Sequence, residues 1–349
     1  MRTPHAKKKN AAPAYRTIFE SLTSRADSGD VNVSETSIME EFDVSRDTAR
    51  KALDLLEREG FARRIRGRGT VLMHKSEASV MRVQVLVNEN FFRSSASITL
   101  RHKFYGIMDG VIGAPGAAER SVSITLVRNE DTLSQKVKKI VAEGGGVLIF
   151  SSSGMEDIIQ ALASEQFPHM VHAPADTDMN SVATDARASV HKAATIMLRS
   201  HKRILFLTED SASAWAWPMI EALRTACTEG KFIFDDTSVI SCGSDGTVPD
   251  RARDAIASNA YDGVIVSTSE LARAVQPTIM HRTPKEISFL SCEDHPDLAR
   301  MTPAVSAIRV PYADIGRSLV TELAAQIRFG YRPGMRIILP EELIIRDTL

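Results

Sequence analysis

The residues best suited to chemistry lie near the N-terminus, in the run Ser45-Arg46-Asp47-Thr48-Ala49-Arg50. Arg46 and Arg50 are four positions apart, so on a helix their side chains share one face. An arginine guanidinium can donate two parallel hydrogen bonds to O6 and N7 of guanine in the major groove of DNA. The hydroxyls of Ser45 and Thr48 suit contacts to phosphates or to shallow base edges. The pattern therefore indicates a surface that contacts double-stranded DNA.

A second basic group follows in Phe61–Leu72, where two short β-type runs flank the sequence Gly67-Arg68-Gly69. Such a stretch predicts a β-hairpin, because glycine accepts the backbone angles of tight turns. Arg66 and Arg68 near its tip are placed to reach an adjacent groove or its phosphates. Charge alone leaves open a second interpretation, in which these residues form only a solvated surface.

Three predicted helices position these side chains. Tyr15–Ala26 is amphipathic, Ser34 begins a second helix, and Ser45 caps a third that ends at Gly60. The order of two helices, a tight turn at Asp43, a third helix and a hairpin is that of a winged helix-turn-helix, whose recognition helix enters the major groove. The alternative is a small helical module for protein interaction. The apolar stripe of the third helix comprises Ala49, Ala52, Leu53 and Leu56.

This stretch resembles the GntR family of bacterial regulators. The motifs that carry the resemblance are Tyr15, Ile18, Ser34-Glu35, Val44-Ser45-Arg46-x-Thr48-x-Arg50-x-Ala52-Leu53, Leu56, Glu59-Gly60 and Gly67-x-Gly69-Thr70. Three positions depart from the family pattern: Val33 replaces a proline, Thr36 replaces an arginine that often contacts DNA, and Asp43 replaces the glycine of the turn. Because aspartate tolerates the left-handed conformation, we expect the turn to survive. The predicted DNA-contacting residues are Ser34, Thr36, Ser45, Arg46, Thr48, Arg50, Arg66, Gly67 and Arg68.

Length and charge agree with more than one domain. The chain has 349 residues and a net charge of −1. Residues 1–75 hold 15 basic and 11 acidic groups, whereas the remaining residues hold 28 basic and 33 acidic groups. A basic N-terminal part therefore precedes an acidic body. The three scattered cysteines fit a reducing cytoplasm, no apolar run approaches the roughly 18 residues of a membrane span, and residues 1–13 lack a secretory apolar region.

From residue 80 onward, short apolar runs alternate with helical patterns, which predicts an α/β fold with parallel sheets covered on both faces. Two lobes are expected, with a small ligand between them at the strand ends. We predict a disordered tail over 1–13, a winged helix-turn-helix over 14–74, a linker over 75–81 and a two-lobed domain over 82–349. The predicted strands are Arg82–Val87, Ser121–Val127, Val147–Phe150, His169–His172, Arg203–Thr208, Gly263–Ser267 and Ile287–Ser291.

The body resembles LacI/GalR-type regulators. The resemblance is carried by Val182-Ala-Thr-Asp185-x-Arg187, Ser200–Leu207, Ile287–Asp294, Ala307–Gly316 and Ile338–Arg346. It implies a fold like that of periplasmic binding proteins, a small molecule between the lobes, and dimerisation through the lobes. A GntR-type head on such a body resembles the arabinose-responsive repressors.

The same resemblance implies a carbohydrate effector and places its contacts. The effector-binding residues that we predict are Asn88, Asp185, Trp215, Thr268 and Glu293. The indole of Trp215 could stack on a sugar ring, and the carboxylate of Glu293 could accept hydrogen bonds from hydroxyls. Two alternatives stay open: Trp215 packs between lobes as core, and Glu293 is a surface-loop acid.

The sequence shows no catalytic or cofactor motif. It contains no Walker loop, no Gly-x-Ser-x-Gly elbow and no Gly-x-Gly-x-x-Gly fingerprint, and Gly144-Gly145-Gly146 precedes a strand as a helix stop would. His169 and His172 are expected on opposite faces of a strand, which disfavours a metal site. We therefore predict a cytoplasmic repressor of transcription, with no enzymatic activity, cofactor or membrane contact. Its predicted partners are an operator duplex, a small-molecule effector and a second copy of itself. The rival hypotheses are a solute-binding module and an α/β enzyme with an appended head.

Overall fold

The computed structural model describes residues 14–26, 31–58, 61–65, 69–72, 81–89, 98–116, 120–128, 132–243, 247–258, 260–280 and 287–349. The chain forms two compact units, Met1–Val80 and Met81–Leu349. The predicted tail over 1–13 lies outside the described residues, as does most of the predicted linker. The second unit begins with a strand at Met81, one residue before the predicted start.

The described residues of the N-terminal unit form three helices and a three-stranded antiparallel sheet. The elements are α1 (Ala14–Ala26), β1 (Val31–Val33), α2 (Glu35–Phe42), α3 (Arg46–Arg58), β2 (Ala62–Ile65) and β3 (Gly69–Leu72). The strands are arranged in the order β1-β3-β2, and Ala62 pairs with Leu72 and Ile65 with Gly69. This pairing confirms the predicted hairpin.

The core of this unit is built from the apolar faces of its helices. All four residues of the predicted α3 stripe are buried, and they pack with Ile18 and Leu22 of α1 and Ile38 of α2. Their spacing of three and four residues places them on one side of each helix. The opposite side of α3 is left exposed, which is what a helix that contacts DNA requires.

The turn between α2 and α3 survives without glycine, as expected. Asp43 has φ 48° and ψ 54°, the left-handed conformation, and its N–H donates to the carbonyl of Met39. Aspartate tolerates this conformation better than most residues because its short polar side chain can bond locally. The turn therefore sets the start of α3 relative to α2.

The described residues of the second unit form two six-stranded sheets, which confirms the predicted α/β architecture. The strands are β4 (Met81–Asn88), β5 (Arg120–Val127), β6 (Gly146–Ile149), β7 (His169–His172), β8 (Ser181–Thr184), β9 (Ile204–Thr208), β10 (Val239–Ser241), β11 (Gly263–Val266), β12 (Ser288–Ser291), β13 (Ser306–Arg309), β14 (Arg336–Leu339) and β15 (Glu342–Ile344). The sheet of the N-lobe has the order β14-β8-β7-β6-β4-β5, and these strands are parallel. The sheet of the C-lobe has the order β10-β9-β11-β12-β13-β15; its strands are parallel except that β15 pairs antiparallel with β13.

Helices alternate with these strands. They are α4 (Ile98–Gly113), α5 (Leu133–Glu143), α6 (Glu156–Ser164), α7 (Ala186–Met197), α8 (Trp217–Glu229), α9 (Asp250–Ala257), α10 (Ser269–Ile279), α11 (Pro296–Arg300) and α12 (Tyr312–Phe329). Gly144, with φ 67°, ends α5 and so confirms its predicted role as a helix stop. Among the described residues, none of the helices is both long and apolar enough to span a bilayer.

The chain passes between the lobes more than once. After the C-lobe strand β13, helix α12 returns to the N-lobe, where Leu319 and Leu323 pack with Val83 and Leu148. Strand β14 then joins the N-lobe sheet and β15 the C-lobe sheet. Helices α4 and α12 approach so closely that a Cβ on Gly316 would collide with the backbone carbonyl of Ile107. Residues on these crossings therefore lie at the junction of the lobes.

Candidate functional site

The first turn of α3 presents a capped and exposed helix N-terminus. The hydroxyl of Ser45 accepts a hydrogen bond from the backbone N–H of Thr48 at 3.3 Å, and the two hydroxyls lie 2.9 Å apart. The cap satisfies one of the N–H groups that a helix start leaves unpaired. The positive end of the helix dipole at this point favours an anion such as a phosphate.

Arg46 and Arg50 lie on one exposed face of α3, as the spacing indicated. Both donate to Glu35 in the first turn of α2: Arg46 Nε at 2.7 Å from Oε2, and Arg50 Nε at 3.0 Å from Oε1. The hydrogen bonds from Arg50 and then Arg46 lower the pKa of Glu35 to about 2. Sequence reasoning did not predict this clamp, although Glu35 belongs to the Ser34-Glu35 motif.

The other predicted DNA contacts fall into two groups. Ser34 caps α2, since its hydroxyl accepts from the N–H of Ser37 at 3.0 Å, and Thr36 is exposed in the first turn. The strands that flank the hairpin tip are described, but Arg66, Gly67 and Arg68 lie outside the described residues. The predicted contacts that the structure describes therefore lie at the start of α2 and within the first two turns of α3: Ser34, Thr36, Ser45, Arg46, Thr48 and Arg50.

In the second unit, charged side chains from both lobes gather around Lys103 of α4. Its ammonium lies 4.2 Å from the ring centroid of Trp215, which precedes α8. Burial lowers the pKa of Lys103, and the charges of Glu293, Glu209 and Glu341 oppose that shift. An ammonium over an aromatic face is attracted by the negative potential of the ring. We call Lys103, Glu209, Trp215, Glu293, Tyr312 and Glu341 the interlobe cluster.

Trp215 connects the lobes. Its indole N–H donates to Ser153 Oγ of the N-lobe at 3.3 Å, and its ring lies 5.0 Å from that of His172 on β7. Trp215 is half-buried, so it contacts the N-lobe and borders the interlobe cluster without being part of an apolar core. Its predicted contact with an effector stays a prediction.

Glu293 follows β12 and is only 4% exposed, so it is not a surface-loop acid. The hydroxyl of Tyr312, at the start of α12, donates to Glu293 Oε1 at 2.5 Å. Burial, with the neighbouring charge of Glu293, raises the pKa of Tyr312 far above its usual value. A buried carboxylate beside a neutral phenol is an arrangement that orients hydrogen-bond acceptors.

Thr268 caps α10, where its hydroxyl accepts from Leu271 N–H at 3.4 Å, and it lies near Glu209. Glu209 directly follows β9. Its pKa is raised to about 7, first by burial and then by the charges of Glu270 and Glu293. Thr268 thus meets the cluster through Glu209.

Asp185 and Asn88 are more peripheral. Asp185 is exposed and caps α7 by accepting from Ala188 N–H at 2.9 Å. The pKa of Glu341 is raised mainly by burial, and the charge of Asp185 adds to that shift. Asn88 is half-buried at the end of β4, beside Gly154. The structure therefore brings Trp215, Thr268 and Glu293 together and leaves these two at the margin.

Sequence reasoning missed Lys103, Glu209, Tyr312 and Glu341. A signal existed for Glu209, because it follows a buried parallel strand as Glu293 does, and the carboxyl ends of such strands meet at one edge. Lys103 lies on a helix, where a lysine ordinarily indicates a solvated face. Glu341 lies in the short crossing between β14 and β15, which carries no local motif.

The family comparisons match a part of each unit. Residues 15–72 match bacterial regulatory proteins of the gntR family, and residues 181–349 match periplasmic binding protein-like domains. No curated protein sequence matches the chain at a significant level.

Solved structures share the fold. A LacI-family regulatory protein from Chloroflexus aggregans has 17% identity and a TM-score of 0.66, over 77% of this chain and 98% of that one. The regulator CelR in complex with cellobiose has 18% identity and a TM-score of 0.62, over 95% and 99%. The lac repressor dimer bound to operator and the anti-inducer ONPF has 15% identity and a TM-score of 0.62, over 77% and 93%. The chain therefore joins a DNA-binding domain of the gntR family of bacterial regulatory proteins to a periplasmic binding protein-like domain with the fold of LacI-family regulators.

Proposed function

We propose that the protein is a repressor that binds a specific operator duplex and is controlled by a small molecule held between its lobes. The observation that carries the proposal is the exposed first turn of α3, with Arg46 and Arg50 on one face, in a chain that also has a polar cluster between two lobes. Because its proposed partner is DNA, the protein would act in the bacterial cytoplasm.

The DNA contact is tested with Arg46→Ala in the full-length protein. Loss of one bidentate arginine–guanine contact costs about 1–3 kcal/mol on the operator and relaxes the preference at one base pair. The operator is first selected from genomic fragments by gel shift. Arg300→Ala removes the same charge from an exposed position of the C-lobe and serves as control. Equal losses of Arg46→Ala on operator and random duplex would contradict base recognition.

The interlobe cluster suits a polyhydroxylated ligand such as a carbohydrate or a related metabolite. Carboxylates of Glu209 and Glu293 accept hydrogen bonds from hydroxyls, and the ammonium of Lys103 donates to ligand oxygens. The cellobiose in the CelR complex supports this chemistry. A ligand at a hundred times its Kd stabilises the folded state by about 2.7 kcal/mol, which a thermal-shift screen of sugars and sugar acids detects.

Two tryptophans give a matched pair of variants for that screen. Trp215 borders the cluster, whereas Trp217 is 54% exposed and begins α8. Trp215→Ala should abolish the shift that a cluster ligand produces, and Trp217→Ala should retain it. A shift that survives Trp215→Ala unchanged places the ligand elsewhere. Control of DNA binding further requires that the ligand bind two lobe arrangements with different affinity, which gel shifts with and without ligand measure.

We also propose a homodimer formed through the N-lobe. Ile124 and Leu126 are exposed on the edge strand β5, on the same face as Val122, which packs against the core that includes α4. Tyr105 and Ile112 of α4 are also exposed. A second copy would cover these side chains and give two recognition helices for a two-fold operator.

Sedimentation of Leu126→Glu tests this interface. The variant should sediment as a monomer if the wild type is a dimer, because a carboxylate would be buried against apolar side chains. Ile233→Glu, at a C-lobe residue that is 77% exposed, should leave the dimer intact. A dimeric Leu126→Glu variant would place the interface on another surface.

A further inference from the structure

One carboxylate holds both arginines of the recognition helix. Glu35 accepts from Arg46 Nε at 2.7 Å and from Arg50 Nε at 3.0 Å, with a third contact from Arg50 Nη2 at 3.4 Å. Glu35 lies in the first turn of α2, directly after the cap residue Ser34. The clamp therefore links the start of α2 to the exposed face of α3.

The shortest hydrogen bonds of the clamp do not use the arginine atoms that are best suited to base recognition. Both short bonds use Nε, so the two terminal nitrogens of Arg46 take no part in the clamp. A guanidinium carries five donors in a rigid plane, and two parallel N–H groups suffice for guanine O6 and N7. Fixing Nε therefore fixes the direction of the plane without using the terminal pair.

The clamp also changes the charge of the surface. Two guanidinium groups carry two positive charges, and Glu35, which stays ionised because its arginine partners hold its pKa low, cancels one of them. Attraction to phosphates of any sequence depends on the number of positive charges that meet the backbone. A contact to base edges depends instead on geometry. One residue thus weakens sequence-independent binding while it orients the groups that recognise bases.

We propose that Glu35 is a specificity-determining residue of the DNA interface, which orients Arg46 and Arg50 before binding and lowers the affinity for random duplex. The inference rests on the proposed DNA-binding function. Glu35 acts here as a positioning residue, since the contacts to bases are made by the arginines.

The test compares two variants that lose the same charge. Glu35→Gln removes the clamp carboxylate with little change of shape. Asp47→Asn, next to Arg46, removes a carboxylate whose partner is Lys51 at 2.8 Å and leaves the clamp intact. Each full-length protein is titrated with the selected operator and with a random duplex between 50 and 200 mM salt, roughly the range over which phosphate contacts change affinity most visibly.

Glu35→Gln should bind random duplex more tightly, steepen its salt dependence by about one charge, and lower the ratio of operator to random affinity at least about fivefold. Asp47→Asn should keep that ratio within about twofold of wild type. Equal changes in both variants, or an unchanged ratio in Glu35→Gln, overturn the inference. A wild type that fails to discriminate between operator and random duplex overturns the proposed function itself, so the two failures are distinct.

A measurement on the unmodified protein guards against misfolding of the variant. In the DNA-free protein, the Nε–H signals of Arg46 and Arg50 should be resolved by NMR and exchange slowly with water, because both protons are held by Glu35. Fast exchange of both signals, like that of exposed arginines, would show that the clamp does not persist in solution and would overturn the inference.

Discussion

The hydrogen bond from Tyr312 to Glu293 gives a sharp test of the interlobe cluster. The phenol and the carboxylate lie 2.5 Å apart, and their residues are 9% and 4% exposed. Tyr312→Phe removes the donor and keeps the ring, so the change is confined to one hydroxyl. The carboxylate then remains buried with one donor fewer.

The expected cost follows from the burial of both partners. A hydrogen bond to a charged group contributes about 1.5–3 kcal/mol, and little of it is recovered where water has poor access to the carboxylate. For a domain of this size class, 1 kcal/mol corresponds to roughly 2–4 °C in Tm, so a decrease of about 3–12 °C is expected. Packing should contribute little, since the ring itself is unchanged.

Tryptophan fluorescence during urea titration measures this loss of unfolding free energy in the second structural unit, which contains Tyr312. Both tryptophans of the chain, Trp215 and Trp217, belong to the second unit, so the signal does not report the N-terminal one. Ile233→Val is the control for a small change of side chain, because Ile233 is 77% exposed in the C-lobe and lies outside the proposed dimer interface. Its free energy of unfolding should stay within about 0.5 kcal/mol of wild type.

An unfolding free energy for Tyr312→Phe within about 0.5 kcal/mol of wild type would refute the reasoning, because it would mean that the carboxylate does not depend on the hydroxyl. The same variant should also weaken any ligand that Glu293 binds. A loss of ligand binding without a loss of stability would assign Tyr312 to the ligand rather than to Glu293.

Three further predictions concern packing, pH and the turn. Gly316→Ala should lower the free energy of unfolding by at least about 1–3 kcal/mol, since the added methyl meets backbone, whereas Gly113→Ala, with open space around it, should not. Because the pKa of Glu209 is raised to about 7, its carboxyl keeps a proton in the folded state that the unfolded chain loses near pH 4.5. The free energy of unfolding should therefore fall as the pH rises from about 4.5 to about 7. In urea titrations at pH 5–7, Glu209→Gln should make the free energy of unfolding depend less on pH. Asp43→Gly should change stability by less than about 1 kcal/mol, while Asp43→Val should cost about 1–2 kcal/mol or more at φ 48°, as followed by far-UV circular dichroism in urea.

Local sequence patterns predict much of the fold. Strand β7 begins and ends at the predicted residues, and β4, β5, β6, β9, β11 and β12 do so within about one residue, because most of these strands are buried and mainly apolar. Strand β5 differs, since it is an edge strand whose residues are mostly exposed or half-buried. The helix-turn-helix was predictable for the same reason, since its apolar stripe has helical period and its turn needs one left-handed residue. These signals depend only on neighbours along the chain.

Sequence analysis did not predict the elements that lack a clear local pattern. Strands β8, β10, β13, β14 and β15 were not predicted, although the predicted strands β6, β7, β11 and β12 are also short, at four residues each. Strand β14 lies at one edge of the N-lobe sheet, where its exposed and half-buried residues alternate. Short strands of this kind are stabilised by the strand beside them rather than by their own propensity.

The sites divide in the same way. The sequence by itself determined that Arg46 and Arg50 share a face and that Ser45 caps their helix, because helix geometry fixes what lies within one turn. Only the tertiary structure decided that Glu35 binds both arginines and that Lys103 meets Trp215 and Glu293, which are separated from it by more than a hundred residues. Such contacts arise where parallel strand ends and interlobe crossings converge, and no periodicity along the chain encodes that convergence.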